Sequence, residues 1–285
     1  MTPGLLYLLA SVAFSVTVAV MLKLARRYQV DVRQAIAANY AVTAALTWLI
    51  LRPTSAQIES ASHSWGLLLA LGLLLPSGFM AMAQSVRHAG IVRSDAAQRL
   101  SLFLPLLAAF LLFGESITLR KAGAIALAFT ALFCVLQRRG LEPAGTSGGK
   151  AWLWPLGVWA AYGVVDILFK QMAKAGAAFP GALLIAFALS GVLMAGYLLA
   201  RRIHWQPRHL LAGVALGAAN FGNIVTYIGA HQALPKNPAL VFSTMNMGVI
   251  AVGTVVGALA FSEPLSRVNL LGLVLALAAI LMMMP

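Results

Sequence analysis

The sequence predicts an all-α polytopic membrane protein, ten transmembrane helices arranged as two inverted-topology five-helix repeats. Three observations predict it. Only 9% of the 285 residues are charged and 61% are hydrophobic, whereas soluble chains carry about 25% charged residues; so little charge cannot cover a globule of this size. Ten charge-free runs divide the chain: 1–22, 34–51, 60–86, 100–114, 122–137, 151–165, 175–200, 209–235, 237–262 and 268–285. A bilayer core needs roughly 20 residues of helix, with backbone polar groups satisfied inside the segment. Third, the two halves of the chain share anchor residues at a nearly constant offset.

The spans follow in order as 4–22, 35–51, 65–86, 94–114, 119–137, 152–171, 179–200, 209–230, 238–261 and 267–284. Proline and polar clusters such as Arg52-Pro53-Thr54-Ser55 mark the gaps. Runs 100–114 and 151–165 are too short to cross alone. The fourth helix therefore extends backward through Arg99 and Asp95, and the sixth forward through Asp166 and Lys170. Each of these is an i,i+4 pair on one helix face.

The stretch 138–151 falls mid-chain and is the natural linker, dividing repeat 1–140 from repeat 141–285. Lys23 and Lys170 close the first and sixth helices 147 residues apart; Glu115 and Glu263 follow the fourth and ninth, 148 apart; Gly123 and Gly272 are 149 apart. Five helices is an odd number, so the second copy enters the membrane from the opposite side. Such a scaffold can rock between two similar packings and expose a central site to either side in turn.

The net charge of +13 would suggest nucleic acid in a soluble domain. Here the basic residues sit in short connections, which fits loop anchoring, and no nucleic-acid partner is expected. Odd-numbered loops hold 14 Lys and Arg against 6 in even-numbered loops, which places the odd loops in the cytoplasm and the termini outside. A lone cysteine, Cys134, excludes disulfides, and five histidines without ligand spacing point to no metal. No phosphate-cradling loop, zincin helix or nucleophile elbow occurs, so neither an enzyme nor a cofactor is expected.

Ionisable groups inside a membrane helix are costly and face protein or a water-filled cavity; the plainer reading is snorkelling toward the headgroups. Arg99 lies more than a turn inside its helix, and its counterpart at offset 148 is Met247. A charge absent from the other copy points to solute or counter-ion binding. Asn220, Asn223 and Tyr227 recur at i, i+3 and i+7 on one face of the eighth helix. Ser243 and Asn246 form a similar stripe in the ninth and correspond at offset 148 to Asp95 and Gln98. Helix–helix glue is the plainer account of these amides. Asn39, Tyr40 and Thr43 make a weaker cluster, and Ser11 and Ser15 read as packing residues. Asp166 and Asp95 are the candidates for ion coupling. Glu115 and Glu263 are structural or gating residues that hold their turns and meet a basic residue or the start of the next helix. Lys23 and Lys170 belong to that group, and so does Pro105, which interrupts the fourth helix opposite Gly253 of the second copy.

The segments LFLPLLAAFLLFGE (102–115) and SITLRKAG (116–123), with GALAFSE (257–263) and PLSRVNLLG (264–272), resemble the drug/metabolite transporter superfamily, in its ten-helix group built from two EamA domains. The resemblance covers about 4–137 and 152–284. It implies a secondary active transporter of a small metabolite or drug-like solute in the cell inner membrane, proton- or ion-coupled or an exchanger, with a passive channel or facilitator as the alternative. It implies a cavity lined by the first, third, fourth, sixth, eighth and ninth helices, which favours Arg99, Gln98, Tyr162, Asn223, Tyr227 and Asn246 over Asn39. It also implies cytoplasmic termini, the reverse of the charge count. Expected partners are the solute and the bilayer, with the chain a monomer or weak homodimer.

Overall fold

The computed structural model describes residues 3–105, 107–108, 118–136, 152–234 and 238–282; for 238–240, 242 and 243 it describes the backbone alone. Among these residues the chain is entirely helical. Helix α1 (Pro3–Arg27) buries a stripe of Leu8, Ser11, Val12, Ser15, Ala19 and Leu22 at helical spacing, and Gln29 ends it in a left-handed conformation with φ 54°. Helix α2 (Val32–Leu46) is capped by Asp31, whose carboxylate accepts from the Arg33 backbone N–H at 3.0 Å. It runs on through a π-helical turn at Thr47–Leu51, where the Thr47 hydroxyl donates to the Thr43 carbonyl at 2.7 Å.

The segment 52–64, expected as a gap, holds a short helix α3 (Ser55–Ser62). A capping box between Thr54 and Gln57 starts it; the T-x-x-Q pattern is its sequence signature. Helix α4 (Trp65–Ala89) contains Pro76. Helix α5 (Ile91–Leu100) breaks at Ser101 and Leu102 before a further helical stretch at Phe103–Pro105. Arg99 and Asp95, expected within one continuous fourth span, lie in α5 on the N-terminal side of this break. The remaining helices are α6 (Leu119–Leu136), α7 (Leu153–Lys174), α8 (Phe179–Ala200), α9 (Pro207–Ala233), α10 (Pro238–Phe261) and α11 (Arg267–Met282).

Eight helical segments among the described residues are long and apolar enough to cross a membrane, and α11 is a shorter apolar helix. Their outer faces carry Leu6, Leu9, Leu49, Leu73, Leu199, Leu211 and Val274 in the open. An apolar girdle of that extent belongs in lipid. Trp65, Trp152, Trp154 and Trp205 stand near helix ends, where indole rings settle at the membrane–water boundary. This is a multi-pass membrane protein embedded in a bilayer.

Helices of the first half pack mainly on helices of the second, a long-range, repeat-like pattern: α1 on α9 and α10, α2 on α9 and α8, α4 on α7 and α8, α5 on α7 and α10, α6 on α11. Small residues permit the closest approaches. On α9, Gly213 lies against the Ala35 carbonyl and Gly217 against that of Asn39, so a Cβ at Gly217 would meet that oxygen at 2.9 Å.

Candidate functional site: a central aromatic cavity with a charged wall

A cavity of about 380 Å³ occupies the middle of the bundle. Ser15 and Ala19 of α1, Gly78 and Met82 of α4, Gln98 of α5, Tyr162 and Asp166 of α7, and Asn220 and Asn223 of α9 contribute to its wall. Tyr40, Phe79 and Phe187 pack at ring-centroid distances of 6.1 and 6.0 Å around Tyr40, and all three line it. Phe169 and Phe179, in contact at 6.0 Å, carry the lining toward the end of the bundle where α3 meets α8 through the Ser60 hydroxyl and the Ala178 N–H.

Of the residues expected to bind solute, Gln98, Tyr162, Asn220 and Asn223 converge on this cavity. Asn223 is held by the Ser11 hydroxyl, which donates to its Oδ1 at 2.8 Å; Asn220 donates to Asn39 Oδ1 at 3.2 Å. Arg99 lies just behind the wall. Its Nη2 donates to Ser15 Oγ at 2.6 Å and its Nη1 to Asn246 Oδ1 at 3.5 Å, and no hydrogen-bond partner meets its buried Nε. The expected i,i+4 pairing with Asp95 is not made: among the described residues no ion pair joins them, because α1 and α10 offer Arg99 acceptors on the other side. Asn246 is 6% exposed and serves as that acceptor. Tyr227 leaves the wall and meets His231 edge-on at 4.7 Å. The side chain of Ser243 lies outside the described residues, as does all of Glu115.

The two acidic candidates differ in environment. Asp166 opens into the cavity, whereas Asp95 is buried outside the lining. Lys170 lies one turn beyond Asp166, half-buried. Pro105 sits in the helical stretch after the break in α5.

Glu263 does more than hold its own turn. It accepts from Lys23 Nζ at 3.0 Å and from the backbone N–H groups of Ile91 and Val92 at 2.7 and 3.1 Å. It thus caps the N-terminus of α5 rather than the next helix in sequence, and it favours the positive end of that helix dipole. Gly90 makes this possible: its φ is +90°, and a Cβ there would fall 2.6 Å from Glu263 Oε2. This junction of α1, α5 and α10 sits at the far end of α4 from α3, roughly 37 Å away at 1.5 Å per residue.

The structure also corrects the expected lining. Tyr40 of the second span and Phe179, Leu183 and Phe187 of the seventh take part, while no described residue of α10 does. Phe79, Phe179 and Phe187 escaped the sequence reading because they sit within continuous apolar runs, where hydropathy cannot tell a cavity wall from a lipid face. Ser15 and Ser11, read as packing residues, instead orient Arg99 and Asn223. Among the described residues no three side chains form a metal-binding group.

Residues 2–137 match the model of the EamA-like transporter family, and an uncharacterised protein of Haemophilus influenzae is 46% identical over 278 residues, covering 96% of this chain and 95% of that protein. The chain belongs to the EamA-like transporter family. The protein is accordingly a membrane transporter that moves small solutes across a membrane. A crystal structure 15% identical in sequence superposes with a TM-score of 0.62, covering 98% of this chain and 95% of its own, a likeness of fold alone.

Proposed function

We propose that this protein is a secondary active transporter of the cell inner membrane that moves a small metabolite or drug-like solute by alternating access. The observation that carries the proposal is the pairing of a mid-bundle cavity with a polar junction at one end. The cavity holds amides, a phenol and a carboxylate among aromatic rings, while Lys23 and Glu263 tie α1, α5 and α10 together. A carrier needs a central site and an end that can close.

In this reading residues 1–140 and 141–285 are inverted five-helix repeats and the whole has ten spans. Gln98, Tyr162, Asn220 and Asn223 contact solute, with Arg99 presented by Ser15 and Asn246, and Tyr227 and Ser243 extending the polar stripes. Lys23, Glu263, Glu115, Lys170 and Pro105 serve the moving ends. Ion coupling is assigned to the two carboxyls of the central region, Asp166 in the wall and Asp95 behind it.

A thermal-shift screen of amino acids, sugars, nucleobases, organic cations and vitamins against purified protein finds a ligand, since binding to the folded state alone raises Tm. The ligand is then loaded into liposomes. A carrier shows saturable uptake and counterflow of labelled ligand; uptake that never saturates and shows no counterflow would instead identify a passive facilitator.

A further inference from the structure

Asp95 occupies an environment in which a bare carboxylate is poorly placed. It is 2% exposed, its Oδ2 has no hydrogen-bond partner, and among the described residues no basic nitrogen lies within 4.0 Å of it. The oxygen is pressed against α10 at Gly253, where a Cβ would come within 2.9 Å of it. Only a glycine leaves room for it there, and that backbone surface donates nothing to it.

The helices packed against α5 supply few compensating charges. On α5 itself stand Arg93 and Arg99; on α10, Glu263; on α7, Tyr162 and Asp166; on α1, Lys23; on α4, Arg87 and His88; on α6, Cys134 and, at the opposite end, Arg120 and Lys121; and on α11, Arg267. Arg99, Glu263 and Tyr162 are within electrostatic reach of Asp95. Glu263 carries the same sign, and its oxygens are already engaged by Lys23 and the start of α5. Arg99 is turned away to Ser15 and Asn246. A buried ion without a partner is strongly disfavoured, whereas the neutral acid is tolerated.

We propose that Asp95 is a proton-binding site, its carboxyl protonated in the arrangement described here, and that Arg99 is the switch that discharges it. Arg99 lies one helical turn from Asp95. When solute or a rearrangement of α1 and α10 frees the guanidinium from Ser15 and Asn246, it can pair with the carboxylate. The O–H bond then breaks, the electron pair stays on the Asp95 oxygen, and the proton passes to cavity water beside Gln98, three residues along the same helix and in the wall. Asp166 lines the cavity itself, whereas Asp95 stands behind the wall, so the two carboxyls occupy different positions. This inference deepens the carrier reading and rests on it for its purpose, though not for its test.

Infrared spectra of the protein in phosphatidylethanolamine/phosphatidylglycerol liposomes at neutral pH test it, with protons as the only ligand. A protonated-carboxyl C=O band is expected in the parent and in Asp166→Asn, and its loss in Asp95→Asn. Asn matches the neutral acid in shape, so this variant should also melt at the parental temperature. Should it not fold, Asp95→Glu keeps the acid and must shift the band. A band that survives Asp95→Asn, fails to shift in Asp95→Glu, or vanishes in Asp166→Asn instead overturns the assignment. No solute is involved, so failed counterflow would sink the carrier reading and leave this result standing, and the converse holds equally.

Discussion

Arg99 shows how much a single residue's surroundings decide. Its position inside a membrane helix already marked it, but Ser15 and Asn246, 84 and 147 residues away, set its direction. Arg99→Gln is expected to weaken solute affinity at least tenfold, about 1.4 kcal/mol, measured by calorimetry with the ligand found in the thermal-shift screen; unchanged affinity in a folded variant would remove Arg99 from the site. Asp31, outside the spans, makes a second case. Burial works to raise its pKa, but hydrogen bonds and charge from Arg33, with a contribution from His209, outweigh this and leave it below the ordinary carboxylate value. A lowered folded value means that the stabilisation is complete above the unfolded pKa of about 3.9 and is lost as pH falls through the folded one. Asp31→Ala should cost roughly 1 kcal/mol as a lost N-cap at neutral pH. Melting curves should show that deficit shrinking in strong acid.

At the scale of elements, close helix contacts and the Glu263 junction carry the predictions. Gly217 of α9 meets α2 with no space for a side chain, while Gly196 of α8 has nothing within 4 Å of its would-be Cβ. Gly217→Val should therefore lose about 1–3 kcal/mol through overpacking, and Gly196→Ala should gain about 0.4–1 kcal/mol. Equal melting temperatures for the two variants would contradict the close α2–α9 approach. The junction is tested in a Cys134→Ala background with Leu22→Cys, a buried position of α1 one residue before Lys23. Adding Glu263→Gln weakens the tie between α1, α5 and α10, and labelling of Cys at position 22 by an impermeant thiol reagent should accelerate. Labelling at the parental rate would show that the junction does not close that end. The T-x-x-Q cap of α3 was readable locally, although 52–64 was expected as a gap; the choice of Glu263 to cap α5 was not, because the two meet across 171 residues.

For the whole molecule, the proposed inverted repeat predicts sidedness. Single cysteines at Tyr28 and Arg202, in the first and seventh loops, should label from one side of the membrane. Cysteines at Glu59 and Ala175, in the second and sixth, should label from the other; all four positions are exposed. Labelling of positions 28 and 59 from the same side would end the model. The same experiment decides orientation, since the 14-to-6 distribution of basic residues places position 28 in the cytoplasm and the family resemblance places it outside.

The sequence by itself determined that this chain lies in a membrane, where most of its helices run, and which family it resembles. Lipid forces each backbone polar group to find its partner within its own helix, so length, charge gaps and turn residues along a short window suffice. Only the tertiary structure decided which polar side chains meet. It drew Gln98, Tyr162, Asp166, Asn220 and Asn223 to one cavity, left Tyr227 outside it, turned Arg99 from Asp95 to Ser15, and lined the space with Tyr40, Phe79 and Phe187. These choices depend on how helices distant in sequence rotate and pack. An apolar run has the same hydropathy whether it faces lipid, a neighbour or a solute.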